Sequence, residues 1–154
     1  MLATKKKVLA MNQDKAKELV ESNFPVLAMA MGLDNWKITI QYDRLDNGTA
    51  GLCSVSPQYM RATIQIDTEQ QEDEADLADT LLHESFHILQ AEQKIYMDAV
   101  DEVIGNEDAK KALDQLRIFG DERLVVNLMT MLKRIGLDMK QIIRLYKKQS
   151  ALKQ

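Results

Sequence analysis

The stretch ADTLLHESFHILQAE, residues 78–92, holds both histidines of this 154-residue chain, His83 and His87. With Leu77 just before it, the set Leu81, Leu82, Ser85, Ile88 and Leu89 recurs at helical spacing, which predicts an amphipathic helix with these residues inward. Glu69, Glu72, Asp73, Glu74 and Asp76 crowd its start, where the helix macrodipole favours negative charge. Residues four apart on a helix share a face, with Cβ atoms about 5–6 Å apart. The run His83-Glu84-Ser85-Phe86-His87 therefore sends two imidazoles to one side, while Glu84 lies about 100° round the helix.

Two imidazoles at that separation can converge on one zinc ion, whose Zn–N distance is about 2.0–2.1 Å. Glu84 is too far round to be an equal ligand, but it sits near the open side of such an ion. There it can take a proton from bound water, whose pKa zinc lowers from 15.7 to about 7, so a carboxylate of ordinary basicity suffices. A histidine pair alone is more often a plain solvated or core face. The five-residue HExxH pattern carries more weight, because it falls on a well-patterned helix in a chain that places no histidine elsewhere.

Toward the N-terminus, Ala16, Leu19, Val20, Phe24, Leu27 and Met31 predict a helix over 12–31, kinked or split at Pro25 and stopped at Gly32. The period then changes. In WKITIQYD, residues 36–43, Trp36, Ile38, Ile40 and Tyr42 alternate with polar residues, as in a half-buried strand. Asn47-Gly48 marks a tight turn, LCSVS is a weaker strand ended by Pro57, and RATIQID, residues 61–67, alternates again. Ala62, Ile64 and Ile66 form its inner face; Arg61, Thr63, Gln65 and Asp67 form its outer one. Short strands on short loops suggest an antiparallel meander.

Beyond the histidines, helices are expected over 98–104, 107–133 with an interruption at Gly120, and 137–148, with breaks at Gly105 and Gly136. The last helix keeps Leu137, Ile142, Ile143 and Tyr146 inward. The methionines at 29, 31, 129 and 131 read as core filler. The expected fold class is α+β, in one domain over 1–154. A small three-stranded antiparallel sheet and an N-terminal helix stand beside a helical C-terminal half that carries HExxH.

Composition narrows the function classes. Hydrophobic residues at 45% and charged ones at 29% suit a folded globular chain. Twenty basic against 24 acidic residues leave a net charge of −4, which argues against a nucleic-acid binder using a broad positive field. Cys53 is the only cysteine, so no intrachain disulfide forms and a thiolate-based metal site is not expected. The apolar run VLAM near the N-terminus is too short for a signal peptide. FPVLAMAMGL falls far short of the ~20 residues of a membrane span. The expected compartment is the cytoplasm, with no membrane partner.

An N-terminal helix, a small sheet ending in an alternating strand, and then a helix bearing HExxH resemble the zincin metallopeptidases over roughly residues 36–132. Metzincins place a third histidine six residues after the second, where this chain has Gln93. With no histidine left, a protein third ligand is a carboxylate, which makes the chain similar to the gluzincins and to small phage and bacterial metallopeptidase-like proteins. The resemblance implies a zinc-dependent peptidase acting on a peptide or protein substrate. In it His83 and His87 bind the metal, Glu84 is the catalytic base, and a downstream helix gives a glutamate. Glu122, opening the apolar run Leu124, Val125, Leu128, Met129 and Leu132, is the best candidate, ahead of Asp121, Glu102 and Glu107. The resemblance also implies that the strand before the active helix, 61–67, lines the cleft and pairs with extended substrate.

The chain departs from the family in one respect. Many gluzincins carry an acid four residues after the ligand glutamate to orient a histidine, and here that residue is Val126. This opens a second expectation, a catalytically inactive zincin-like zinc-binding regulatory or interaction module, with a regulatory protein among its candidate partners. For the group that would stabilise the oxyanion, the sequence leaves Tyr42, Tyr59, Tyr96, Tyr146 and Arg123 open.

Overall fold

The computed structural model describes residues 10–91 and 107–151. Helix α1 spans Gln13–Ala30; the Asn12 side chain accepts the Asp14 N–H at 2.8 Å and caps it. Gly32, at φ 72°, closes it: Leu33 N–H bonds Ala28 C=O at 2.8 Å and Gly32 N–H bonds Met29 C=O at 3.1 Å. This crossed pair satisfies the last carbonyls. The helix continues past Pro25 as one element. Pro25 is exposed, so water can serve the carbonyl it orphans, while Ala16, Val20, Phe24 and Leu27 stay buried along one stripe.

Strands β1 (Lys37–Tyr42), β2 (Gly51–Ser56) and β3 (Arg61–Ile66) form a sheet in the order β1-β3-β2. The sheet is mixed, and the expected antiparallel meander is corrected: β3 pairs β2 antiparallel but β1 parallel. Alternation in each strand sets which face is inward, but not which strand takes the centre. Here the inner face of β3, Ala62, Ile64 and Ile66, is fully buried, whereas those of β1 and β2 are only half-buried. Residues 43–50 then cross the end of β3, so Asn47 and Gly48, both at positive φ, bend a crossing connection and close no hairpin. The β2–β3 connection is the short one, through Pro57–Tyr59.

Two polar residues brace that crossing. Asp67, expected on the outer face of β3, is buried and accepts N–H groups from Leu45 at 3.0 Å and Glu69 at 2.9 Å. Gln71, also buried, donates to Ala50 C=O at 3.1 Å and accepts the Thr80 hydroxyl at 3.2 Å. The start of β2 is thereby tied to the second helix.

That helix, α2 (Glu74–Leu89), is capped by Asp73, which accepts Ala75 N–H at 2.7 Å and Asp76 N–H at 3.0 Å. It packs on β2, β3, α1 and both later helices. Leu77, Leu81, Leu82, Ser85 and Ile88 are buried as expected; Leu89 is exposed and Glu84 takes a buried place. Helix α3 (Glu107–Arg134) runs without interruption through Gly120. Gly120 lies in open space, so its cost of about 1 kcal/mol in a helix interior falls to the burial of Val125 and Met129 one and two turns on. Within the run, Leu124 points outward and is exposed. Gly136, at φ 72°, ends α3, and α4 (Met139–Ala151) buries Met139 and Ile143. Of the four methionines expected as core filler, Met129 is buried while Met29 and Met131 are exposed. The helix expected over 98–104 and its break at Gly105 lie outside the described residues.

Among the described residues, no helix is long and apolar enough to cross a membrane.

Candidate metal centre

Helix α2 presents two adjacent rows of side chains. Thr80 and Glu84 turn toward β2; His83 and His87 turn toward α3. Glu122 on α3 meets the histidines. His83 Nε2 lies 3.3 Å from His87 Nε2, Glu122 Oε2 lies 3.5 Å from His83 Nε2, and Glu122 Oε1 lies 3.2 Å from His87 Nε2. Ligand atoms about 2.0–2.1 Å from a tetrahedral zinc stand about 3.3–3.4 Å from one another. The two imidazole nitrogens thus stand at the spacing of zinc ligands and the Glu122 carboxylate straddles them, one oxygen to each, with single donor atoms of all three residues within 4.8 Å of one another. Their chemistry agrees: two imidazoles and a carboxylate are a usual zinc donor set.

Charge and burial act on each group. Burial lowers the His87 pKa, opposed by the nearby Glu122 carboxylate, so its nitrogen is neutral and free to bind a cation near pH 7. Glu84 is 5% exposed, and burial first, then the charge of Glu122, pushes its pKa up to about 7. The Glu122 side chain is 54% exposed, at the mouth of the site.

The remaining carboxylates separate. Asp121 lines the same cleft and acts on His87 electrostatically, but stands outside the three-donor cluster. Glu107 opens α3, about 22 Å of helix before Glu122, where it pairs with Lys110 at 3.7 Å. Glu102 and Tyr96 lie outside the described residues. None of Tyr42, Tyr59, Tyr146 and Arg123 lines the cleft. Among the described residues, no acceptor is seen for the remaining ring nitrogen of either histidine.

The cleft has a volume of about 780 Å³. Its strand wall corrects one expectation: β3 is central, with both edges taken, so 61–67 cannot pair with an extended peptide. The wall is β2, through Gly51, Leu52, Cys53 and Val55, and its outer edge pairs with no strand among the described residues. Burial, and then the charge of Glu84, pushes the Cys53 thiol up to about 12, which disfavours the thiolate form.

Sequence reasoning missed several lining residues. Gly51 was legible in principle, since a glycine inside a strand often marks a close approach. Gln90, one turn beyond His87, also lines the cleft, and its buried amide nitrogen and oxygen have no hydrogen-bond partner among the described residues. Asp79 and Lys133 form an ion pair at 2.6 Å on the rim. Neither residue carries a spacing signal.

Comparison with family models, curated proteins and solved structures finds no match for this chain. The functional reading rests on the geometry above.

Proposed function

We propose that the chain is a zinc-dependent peptidase of zincin type, in which His83, His87 and Glu122 hold the metal and Glu84 is the catalytic base. The observation that carries this reading is the donor cluster: two Nε2 atoms 3.3 Å apart, with Glu122 Oε2 3.5 Å from that of His83 and Glu122 Oε1 3.2 Å from that of His87. Zinc held by this set supplies Lewis acidity, toward water and toward a substrate carbonyl. Glu84, poised near neutrality, accepts a proton from the attacking water and returns one to the departing amine. A base whose pKa lies near the working pH suits both transfers. An extended peptide adds to the open edge of β2, bringing its backbone past the metal-binding row of α2.

In the test, Glu84→Gln keeps one zinc per chain while hydrolysis of a peptide library falls about 10²–10⁴-fold. Proteolysis at the wild-type rate in that variant overturns the role of Glu84.

A second reading is favoured by the lack, among the described residues, of an acceptor for the remaining ring nitrogens, and by Val126 in place of an orienting acid. Histidine ligands ordinarily need such an acceptor. In this reading the chain is a catalytically inactive zincin-like module that binds zinc and serves as a regulatory or interaction protein. Stoichiometric zinc with no turnover on any peptide would select it.

A further inference from the structure

Gly51 is the described glycine whose missing side chain is demanded by its neighbours. Gly32, Gly48 and Gly136 have positive φ, and Gly120 faces open space. Gly51 has ordinary strand backbone and pairs in register with Ile66, so conformation does not explain it. Space does. A Cβ at this position would lie 2.6 Å from Thr80 Cγ2, 2.9 Å from Glu84 Oε1 and 3.1 Å from Glu84 Cγ. Real Cβ atoms essentially never come within 3.0 Å of another heavy atom, as the first two of these would.

The contact falls on one group the proposed reaction needs. The inward row of β2 is Gly51, Cys53 and Val55, and the row of α2 facing it contains Thr80 and Glu84. The strand backbone therefore lies directly against the Glu84 side chain, while the histidine row is turned away toward α3.

We propose that Gly51 is a positioning residue for Glu84: its bare backbone forms the wall that sets where the Glu84 carboxylate stands in the cleft. This inference rests on the reading of Glu84 as the base. It adds that β2, besides offering an edge to substrate, fixes that base. A methyl group at position 51 must move Thr80, Glu84 or the strand itself. A catalytic group displaced by about 1 Å can cost about a hundredfold in rate.

The test compares Gly51→Ala, Thr80→Ser and the double variant. Thr80→Ser removes the 2.6 Å collision and keeps the hydroxyl that bonds Gln71. The first readout is the crystal structure of metal-free Gly51→Ala, expected to show the Glu84 carboxylate moved and His83, His87 and Glu122 unmoved. The second is calorimetric zinc affinity, expected unchanged. The third is kinetic: kcat falls about a hundredfold with KM unchanged, and the double variant does not recover it. If Gly51→Ala fails to fold, the double variant, relieved of the tightest collision, carries the same three readouts. An unmoved Glu84, or wild-type kcat in the double variant, overturns the proposal, since the harm would then come from strand displacement through Thr80. Should the wild-type protein hydrolyse no peptide, the peptidase reading fails, while the position of Glu84 still decides whether Gly51 places it.

Discussion

Lys133 Nζ lies 2.6 Å from Asp79 Oδ2, joining α3 to α2 at the rim of the cleft. Eleven residues separate Lys133 from Glu122, about 16 Å of helix, so this pair and the metal site are two points at which α3 meets α2. Between them Val125 and Met129 are buried in the shared core. The magnitudes decide which contact holds Glu122 in place. The lysine is 60% exposed, and a solvated pair of this kind contributes about 0–1 kcal/mol. Lys133→Ala is expected to cost less than about 1 kcal/mol and to leave zinc affinity nearly unchanged. Val125→Ala, opening a void in the core, is expected to cost about 1–3 kcal/mol and to weaken zinc binding through displacement of Glu122. Denaturant unfolding with calorimetric zinc titration measures both. A larger loss of zinc affinity from Lys133→Ala would reverse the ranking.

Zinc removal probes the donor cluster directly. Metal analysis of protein purified without chelators should find one zinc per chain, absent in His83→Ala and His87→Ala. Glu122→Gln should weaken binding about 10²-fold or more, beyond the 10–100-fold typical of groups that only orient a ligand. Free zinc at 100 times its Kd should raise unfolding stability by about 2.7 kcal/mol, and a chelator should remove the gain. Equal stability with zinc and with chelator would show that the cluster holds no metal.

The pH dependence of the metal-free fold follows from Glu84, held at about 7 against an ordinary value of 4.5. Well below 4.5 the group is protonated in both folded and unfolded chains and contributes nothing. Between the two values the unfolded chain releases the proton while the fold retains it, so stability falls as pH rises through this window. Above about 7 the loss is complete. Glu84→Gln does not titrate, so its stability relative to wild type should rise with pH by about 3 kcal/mol in total. Urea unfolding of both proteins in chelator, at several pH values from about 4 to 8, measures this. A difference independent of pH would mean that Glu84 is not desolvated.

Gln90 offers a change in the opposite direction. Its amide nitrogen and oxygen are buried without partners among the described residues, and an unsatisfied buried polar group costs about 1–3 kcal/mol. Gln90→Leu, similar in volume and apolar, is expected to raise stability by about 1 kcal/mol or more. A loss in thermal unfolding would reveal a partner for the amide in solution.

The places where expectation and structure part share one cause. Residues 61–66 were legible as an alternating strand, and Ala62, Ile64 and Ile66 are buried together. Yet the alternation in 37–42 is equally good, and nothing local says that β3 enters between β1 and β2. The strand beside the cleft with an edge unpaired among the described residues is β2, and not β3, as a consequence. Gly120 and Pro25 show the same limit from the other side. Each weakens a helix locally, and each is outweighed by apolar side chains buried nearby.

Along the chain alone, the period of the apolar residues marked the described helices and strands, and the spacing His83-Glu84-His87 set two imidazoles on one face with an acid beside them. These are local facts, governed by 3.6 residues per turn and two per pleat. That Glu122 rather than Asp121 or Glu107 completes the cluster, that β2 rather than β3 forms the wall, and that Gly51 lies against Glu84 were decided only when distant segments packed. Such choices depend on how side chains fill shared space, and no spacing within one segment records that.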